Sequence, residues 1–124
     1  MNEMKVLIVD DEEELVSTLL ERLEMRGIPA EGTTDGHEAL RRLAAGGYDV
    51  VVLDLMIPGL SGNEILREIR SRHPSLRVLL ITGHGAEPGQ EVPLPEGARD
   101  ILLKPFRIET LIQRIQDCRR GEGC

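Results

Sequence analysis

Two hydrophobic periods alternate along this 124-residue chain, and the alternation limits its fold to a narrow class. Four short aliphatic runs, at 6–9, 50–53, 78–81 and 101–103, are nearly unbroken. Runs of that length and continuity read as strands buried on both faces. Helical stripes lie between them. Val16, Leu19, Leu20 and Leu23 recur at helical spacing within 12–26, and Gly27 and Pro29 stop that helix. Ala39, Leu40, Leu43 and Ala44 mark a second helix over 36–45, and Gly46-Gly47 ends it. Ile65, Leu66 and Ile69 mark a third over 62–72, after a Pro58-Gly59 turn. Ile108, Leu111, Ile112 and Ile115 mark a last one over 107–120. A short, weak strand fits 30–33. Strands alternating with amphipathic helices predict an α/β fold, a doubly wound five-stranded parallel sheet. Right-handed crossovers make 2-1-3-4-5 the natural strand order. One domain over 1–120 accounts for the chain, with 121–124 as a flexible tail.

The segment 84–97 breaks the pattern. It stands where a fourth helix belongs, between the fourth and fifth strands, yet contains Gly85, Pro88, Gly89, Pro93 and Pro95. Proline inside a helix removes a hydrogen bond and clashes with the preceding turn, costing about 3 kcal/mol. The expectation is a short or irregular fourth helix of at most one turn.

Composition narrows the function. A content of 40% hydrophobic and 30% charged residues is globular, and with one Tyr and one Phe the core must be aliphatic. A formal net charge of −7 argues against direct nucleic-acid binding by this chain, which needs clustered Lys and Arg. The consecutive acids Asp10, Asp11, Glu12, Glu13 and Glu14 carry much of that excess, and Glu12, Glu13 and Glu14 read as a solvated helix N-terminus. No run is long enough to span a membrane and no secretory signal leads the chain, so a cytoplasmic location is expected. Cys118 and Cys124 give neither a disulfide framework nor metal-ligand spacing, and read as incidental thiols.

Chemistry-bearing residues follow four of the five strands. Asp10-Asp11, Asp54, Thr82 and Lys104-Pro105 each come directly after an aliphatic run. In an open parallel sheet the segments leaving the carboxyl ends of the strands line one edge, where ligands bind. In order 2-1-3-4-5 the first and third strands are neighbours, about 4.8 Å apart, which brings Asp10 and Asp11 close to Asp54. Carboxylates so close repel one another unless a cation intervenes. Mg²⁺ suits such a site, being held by a few carboxylates, waters and a phosphate oxygen. Asp11 can equally be read as the N-cap of the first helix, with Glu14 closing a capping box. Thr82 supplies a hydroxyl and Lys104 an ammonium that can reach a phosphoryl oxygen.

The motifs Val-Asp-Asp at 9–11, Leu-Asp-Leu-Met-Ile-Pro at 53–58, Gly62, Ile-Thr-Gly at 81–83, Gly-Ala at 97–98 and Lys-Pro-Phe at 104–106 run nearly the length of the chain. In them the chain resembles the receiver (CheY-like) domain of bacterial two-component response regulators. The resemblance implies a flavodoxin-like sheet and a phospho-accepting regulatory domain that catalyses only its own phosphorylation and dephosphorylation. It makes Asp54 the phospho-acceptor. It makes Asp11 and Asp54 ligands of Mg²⁺ with the backbone carbonyl of Met56, while Asp10 binds the metal through water. Thr82 becomes the switch hydroxyl, Lys104 the phosphate contact, and the Lys104–Pro105 bond cis. The implied partners are a sensor histidine kinase or phosphotransfer protein and a downstream effector domain or protein, with room for a homodimer through the face of the fourth and fifth elements.

The chain departs from that family on the same face. Ile101 stands three residues before Lys104, where an aromatic residue usually rotates inward as the threonine moves, and 84–97 falls on the fourth helix. His84, two residues after Thr82, occupies a position able to tune access of the hydrolytic water, or is an ordinary loop histidine. Ile101 and the interrupted helix leave open a phosphorylation-independent interaction module of the same fold, against which the intact acid, threonine and lysine set speaks. A haloacid-dehalogenase-like phosphotransferase needs a second Asp two residues after the nucleophile, and Met56 stands there.

Overall fold

Strand alternation divides the aliphatic core in two. In β1 (Val6–Val9), Val6 and Ile8 face one way, while Leu7 and Val9 face the other. In β3 (Val50–Asp54) the same division separates Val50 and Val52 from Val51 and Leu53. The computed structural model describes residues 5–57, 60–82 and 101–119. The remaining strands are β2 (Ala30–Thr33), β4 (Arg77–Thr82) and β5 (Ile101–Leu103), and the sheet is parallel throughout, in order β2-β1-β3-β4-β5. The expected topology is the observed one. The segment 84–97, with its expected short helix, lies outside the described residues, as do the Pro58-Gly59 turn and the tail 121–124.

Helices cover both faces. On one, α1 (Glu13–Met25) contributes Val16, Leu19 and Leu23, and α4 (Ile108–Arg119) contributes Leu111, Ile112, Ile115 and Cys118. On the other, α2 (Gly36–Ala45) contributes Ala39 and Leu43, and α3 (Gly62–Arg72) contributes Ile65, Leu66 and Ile69. Side-chain caps start two of the helices: Asp35 accepts from the His37 amide at 3.0 Å, and Ser61 accepts from the Glu64 amide at 3.2 Å. Among the described residues no helix is long and apolar enough to cross a membrane.

Two details of the sequence reading change. The α1 N-cap is Glu12, and its side chain makes no capping hydrogen bond, so Asp11 does not serve as the cap. Cys118 is fully buried and disulfide-bonded rather than an incidental thiol. Two cysteines so close in sequence form no framework for a fold, and spacing carried no signal of a bond. Cys124 lies outside the described residues.

The weak strand β2, Ala-Glu-Gly-Thr, has no fully buried residue and depends on its neighbours. Its ladder with β1 is reinforced by Glu31, whose carboxylate takes Lys5 Nζ at 2.8 Å, Arg42 at 3.1 Å and the Tyr48 hydroxyl at 2.6 Å. This network joins the start of β1, α2 and the entry to β3 across the sheet edge.

Gly62 positions the end of β3. A Cβ on it would lie 2.4 Å from Leu55 Cα and 2.9 Å from the Asp54 carbonyl oxygen, both backbone atoms that no rotamer change can clear. Its amide also donates to the Leu55 carbonyl at 3.3 Å. Gly62→Ala should therefore force α3 away from the Asp54 turn and destabilise the fold by about 1–3 kcal/mol, the usual range for overpacking. Urea denaturation of the variant checks this, and an unchanged midpoint would refute the close approach.

Candidate functional site

Register brings the sequence-distant residues together. Val9 pairs with Leu53, so Asp10 and Asp54 leave adjacent strands at the same level. By alternation both continue the face of Ile8 and Val52, the α1 side of the sheet. Asp54 pairs with Ile81, Thr82 pairs with Leu103, and the Lys104 amide donates to the Thr82 carbonyl at 2.8 Å. The Lys104–Pro105 peptide bond is cis, as the resemblance implied.

Three of the chain's polar side chains are buried here rather than at the surface: Asp10 (0% exposed), Asp54 (2%) and Thr82 (1%). Asp10 Oδ1 accepts the Glu12 amide and Asp54 Oδ1 accepts the Met56 amide, each at 2.9 Å, so each carboxylate is aimed by the turn that follows its strand. The Lys104 ammonium lies 2.8 Å from Asp10 Oδ2 and 3.3 Å from Asp54 Oδ2. It also lies 3.0 Å from Glu12 Oε2. Asp11 is exposed at the mouth, and one carboxylate oxygen each from Asp10, Asp11 and Asp54 lie within 4.8 Å of one another. The Met56 side chain is 45% exposed beside them.

This donor set fits a hard divalent cation. Three carboxylates converge, and the buried Asp10 Oδ2 has an ion pair with Lys104 but no hydrogen bond of good geometry among the described residues. Burial pushes the Asp10 carboxyl up to about 6, opposed by the Lys104 ammonium and the Glu12 amide and assisted by the Asp54 charge. Burial works to lower the Lys104 pKa, yet the Asp10 and Glu12 carboxylates beside it hold it above its ordinary value. The ammonium thus stays charged and stands between the carboxylates.

The structure brings Asp10, Asp11, Asp54 and Lys104 together, and places Thr82, buried, at the end of the strand beside Asp54. His84 lies outside the described residues. Glu12 is a site residue that the sequence does not reveal, since it reads there as part of a solvated acidic helix N-terminus. Only its distance from Lys104, 92 residues along the chain, reveals the contact. A separate cleft of about 740 Å³, lined by Tyr48, Asp49, Arg72, His73 and Arg77 among others, opens at the opposite edge of the sheet, before β3 and β4. It lacks the convergent acids.

Residues 6–116 match the response regulator receiver domain family. This chain belongs to that family. The receiver domain is 40% identical over 123 residues to the transcriptional regulatory protein YkoG of Bacillus subtilis, covering 99% of this chain and 54% of that protein. It thus spans about half the length of the curated relatives it matches. Among solved structures, the receiver domain of the Francisella response regulator 1452 superposes with a TM-score of 0.82 at 31% identity, covering 96% of this chain and 99% of that one. The response regulator TrrA of Thermotoga maritima, solved in complex with Mg²⁺-BeF, superposes with a TM-score of 0.76 at 29% identity, over 92% of this chain and 97% of that one.

The raised Asp10 pKa has a consequence for stability. The folded state keeps its proton to higher pH than the unfolded state, so this contribution is intact below about pH 4 and is lost as pH rises through about 6. In metal-free protein it removes up to about 3 kcal/mol by neutral pH, from a shift of about two units. Urea midpoints measured in EDTA across this range should fall more steeply for the wild type than for Asp10→Asn. Added Mg²⁺ should restore stability to the wild type at neutral pH.

Proposed function

We propose that this receiver domain takes a phosphoryl group from the phosphohistidine of a sensor kinase or phosphotransfer protein onto Asp54, and that it catalyses this transfer and the later hydrolysis itself. The supporting observation is a buried strand-end carboxylate, Asp54, shared between a lysine ammonium and an acidic cluster suited to a divalent cation. Asp54 attacks phosphorus with a carboxylate oxygen, the P–N bond to the donor breaks, and the imidazole leaves. Lys104 neutralises charge on the phosphoryl oxygens during transfer and pairs with the product. Asp10, Asp11, Asp54 and the Met56 carbonyl would hold Mg²⁺, whose chemistry there is to neutralise charge on the same oxygens.

Phosphorylation adds charge and acceptor oxygens beside Thr82, whose hydroxyl then acts as the switch by donating to one of them. The response passes toward β5. Ile101 is half-buried against the α2 and α3 side of the core, and Leu103, one position before Lys104, is 63% exposed. An exposed leucine on an edge strand supports a partner-binding face there, for an effector or a second copy. An aliphatic Ile101 can refill a vacated pocket without the large swing of an aromatic ring. The intact acid, threonine and lysine set favours this reading over a phosphorylation-independent module.

Mass spectrometry after incubation with acetyl phosphate and Mg²⁺ tests the proposal. One phosphate adduct should form in the wild type and be absent from Asp54→Asn and from samples in EDTA. Lys104→Met should slow its formation by about tenfold or more. No adduct from any small phosphodonor would leave the interaction module as the better reading.

A further inference from the structure

The Glu12 carboxylate makes a contact that neither helix capping nor solvation explains. Glu12 stands at the α1 N-cap, with extended backbone angles of φ −83° and ψ 98°, where a short polar side chain would ordinarily accept from the next amides. It makes no such bond. Its backbone performs the local duties instead: its amide donates to Asp10 Oδ1 at 2.9 Å, and its carbonyl accepts the Val16 amide at 3.0 Å. That leaves the carboxylate free to reach Lys104 Nζ, at 3.0 Å.

Lysine has three N–H donors. Here three carboxylates surround them, Asp10 at 2.8 Å, Glu12 at 3.0 Å and Asp54 at 3.3 Å. The ammonium's hydrogen bonds go to Glu12 and Asp54, while Asp10 Oδ2 holds it by charge alone. Once phosphorylated, Asp54 gives up its own carboxylate charge, and the remaining carboxylates compete with the phosphoryl oxygens for the ammonium. Asp10 and Asp54 have side chains 0% and 3% exposed, so neither can rotate into water. The Glu12 side chain is 59% exposed and can. A phosphoryl dianion arriving on Asp54 repels it as well.

We propose that Glu12 is a counter-ion gate on Lys104: it shares the ammonium in the unphosphorylated domain and yields it to the phosphoryl oxygens when Asp54 is phosphorylated. Glu12 is a positioning residue that acts through Lys104 and sets how tightly the site holds the phosphoryl group. The inference rests on the reading of Asp54 as acceptor.

Beryllofluoride with Mg²⁺ serves as the probe, because it reports the phosphorylated state without turnover. Its affinity is measured by isothermal titration calorimetry for the wild type, Glu12→Gln and Glu13→Gln. Glu13→Gln removes the same charge one residue further on, from an exposed first-turn acid. Glu12→Gln should tighten binding by about 2- to 5-fold at low salt, the range of an exposed ion pair. The gain should shrink toward nothing in 1 M salt, while Glu13→Gln should match the wild type. Unchanged or weaker binding by Glu12→Gln, an equal gain in Glu13→Gln, or a gain that persists in high salt would each overturn the gate. Absence of beryllofluoride binding to the wild type would instead remove the acceptor reading of Asp54, and the gate with it.

Discussion

The Lys104 ammonium lies between Asp10 Oδ2 and Asp54 Oδ2, two carboxylates that the fold has removed from water. Much else in the domain serves to keep that arrangement intact. Two acids buried side by side are unstable on their own, because each is desolvated and each repels the other. They persist because turn amides bond one oxygen of each and a cation faces the other. That balance leaves a site with an unmet demand for positive charge, which is what binding a divalent cation and stabilising a transferring phosphoryl group require.

The sheet supplies the alignment. With β1 beside β3 and β3 beside β4, the ends of three strands fall in register, and β5 places Lys104 at the end of the row. The same alternation that sorts the core into an α1/α4 face and an α2/α3 face aims Asp10 and Asp54 to one side. Close contact of α3 with the Asp54 turn through Gly62 then holds that strand end in place.

Much of this was legible beforehand. The bounds of α2 and α3 agree with the sequence reading because glycines and polar caps punctuate strong aliphatic stripes. β2 was harder, since Ala-Glu-Gly-Thr has little strand propensity, and its order comes from pairing with β1 and from the Glu31 ion-pair network. The acids, Thr82 and Lys104 were legible because each ends an apolar run, and the receiver motifs around them are specific. Of the two readings of Asp11, the capping one fails: Asp11 and Glu14 have capping-box spacing, but the chain enters α1 one residue later, at Glu12.

By itself the sequence determined the α/β class, the strand order, the residues at the carboxyl edge and the receiver family, because each is written in local periodicity and short motifs. Tertiary structure alone decided which charges meet. Burial raises the Asp10 carboxyl to about 6, and Glu12 turns from an ordinary surface acid into a partner of Lys104, 92 residues away. Neither has a local signature. Desolvation depends on what packs around a group, and an ion pair depends on where two distant segments come to rest.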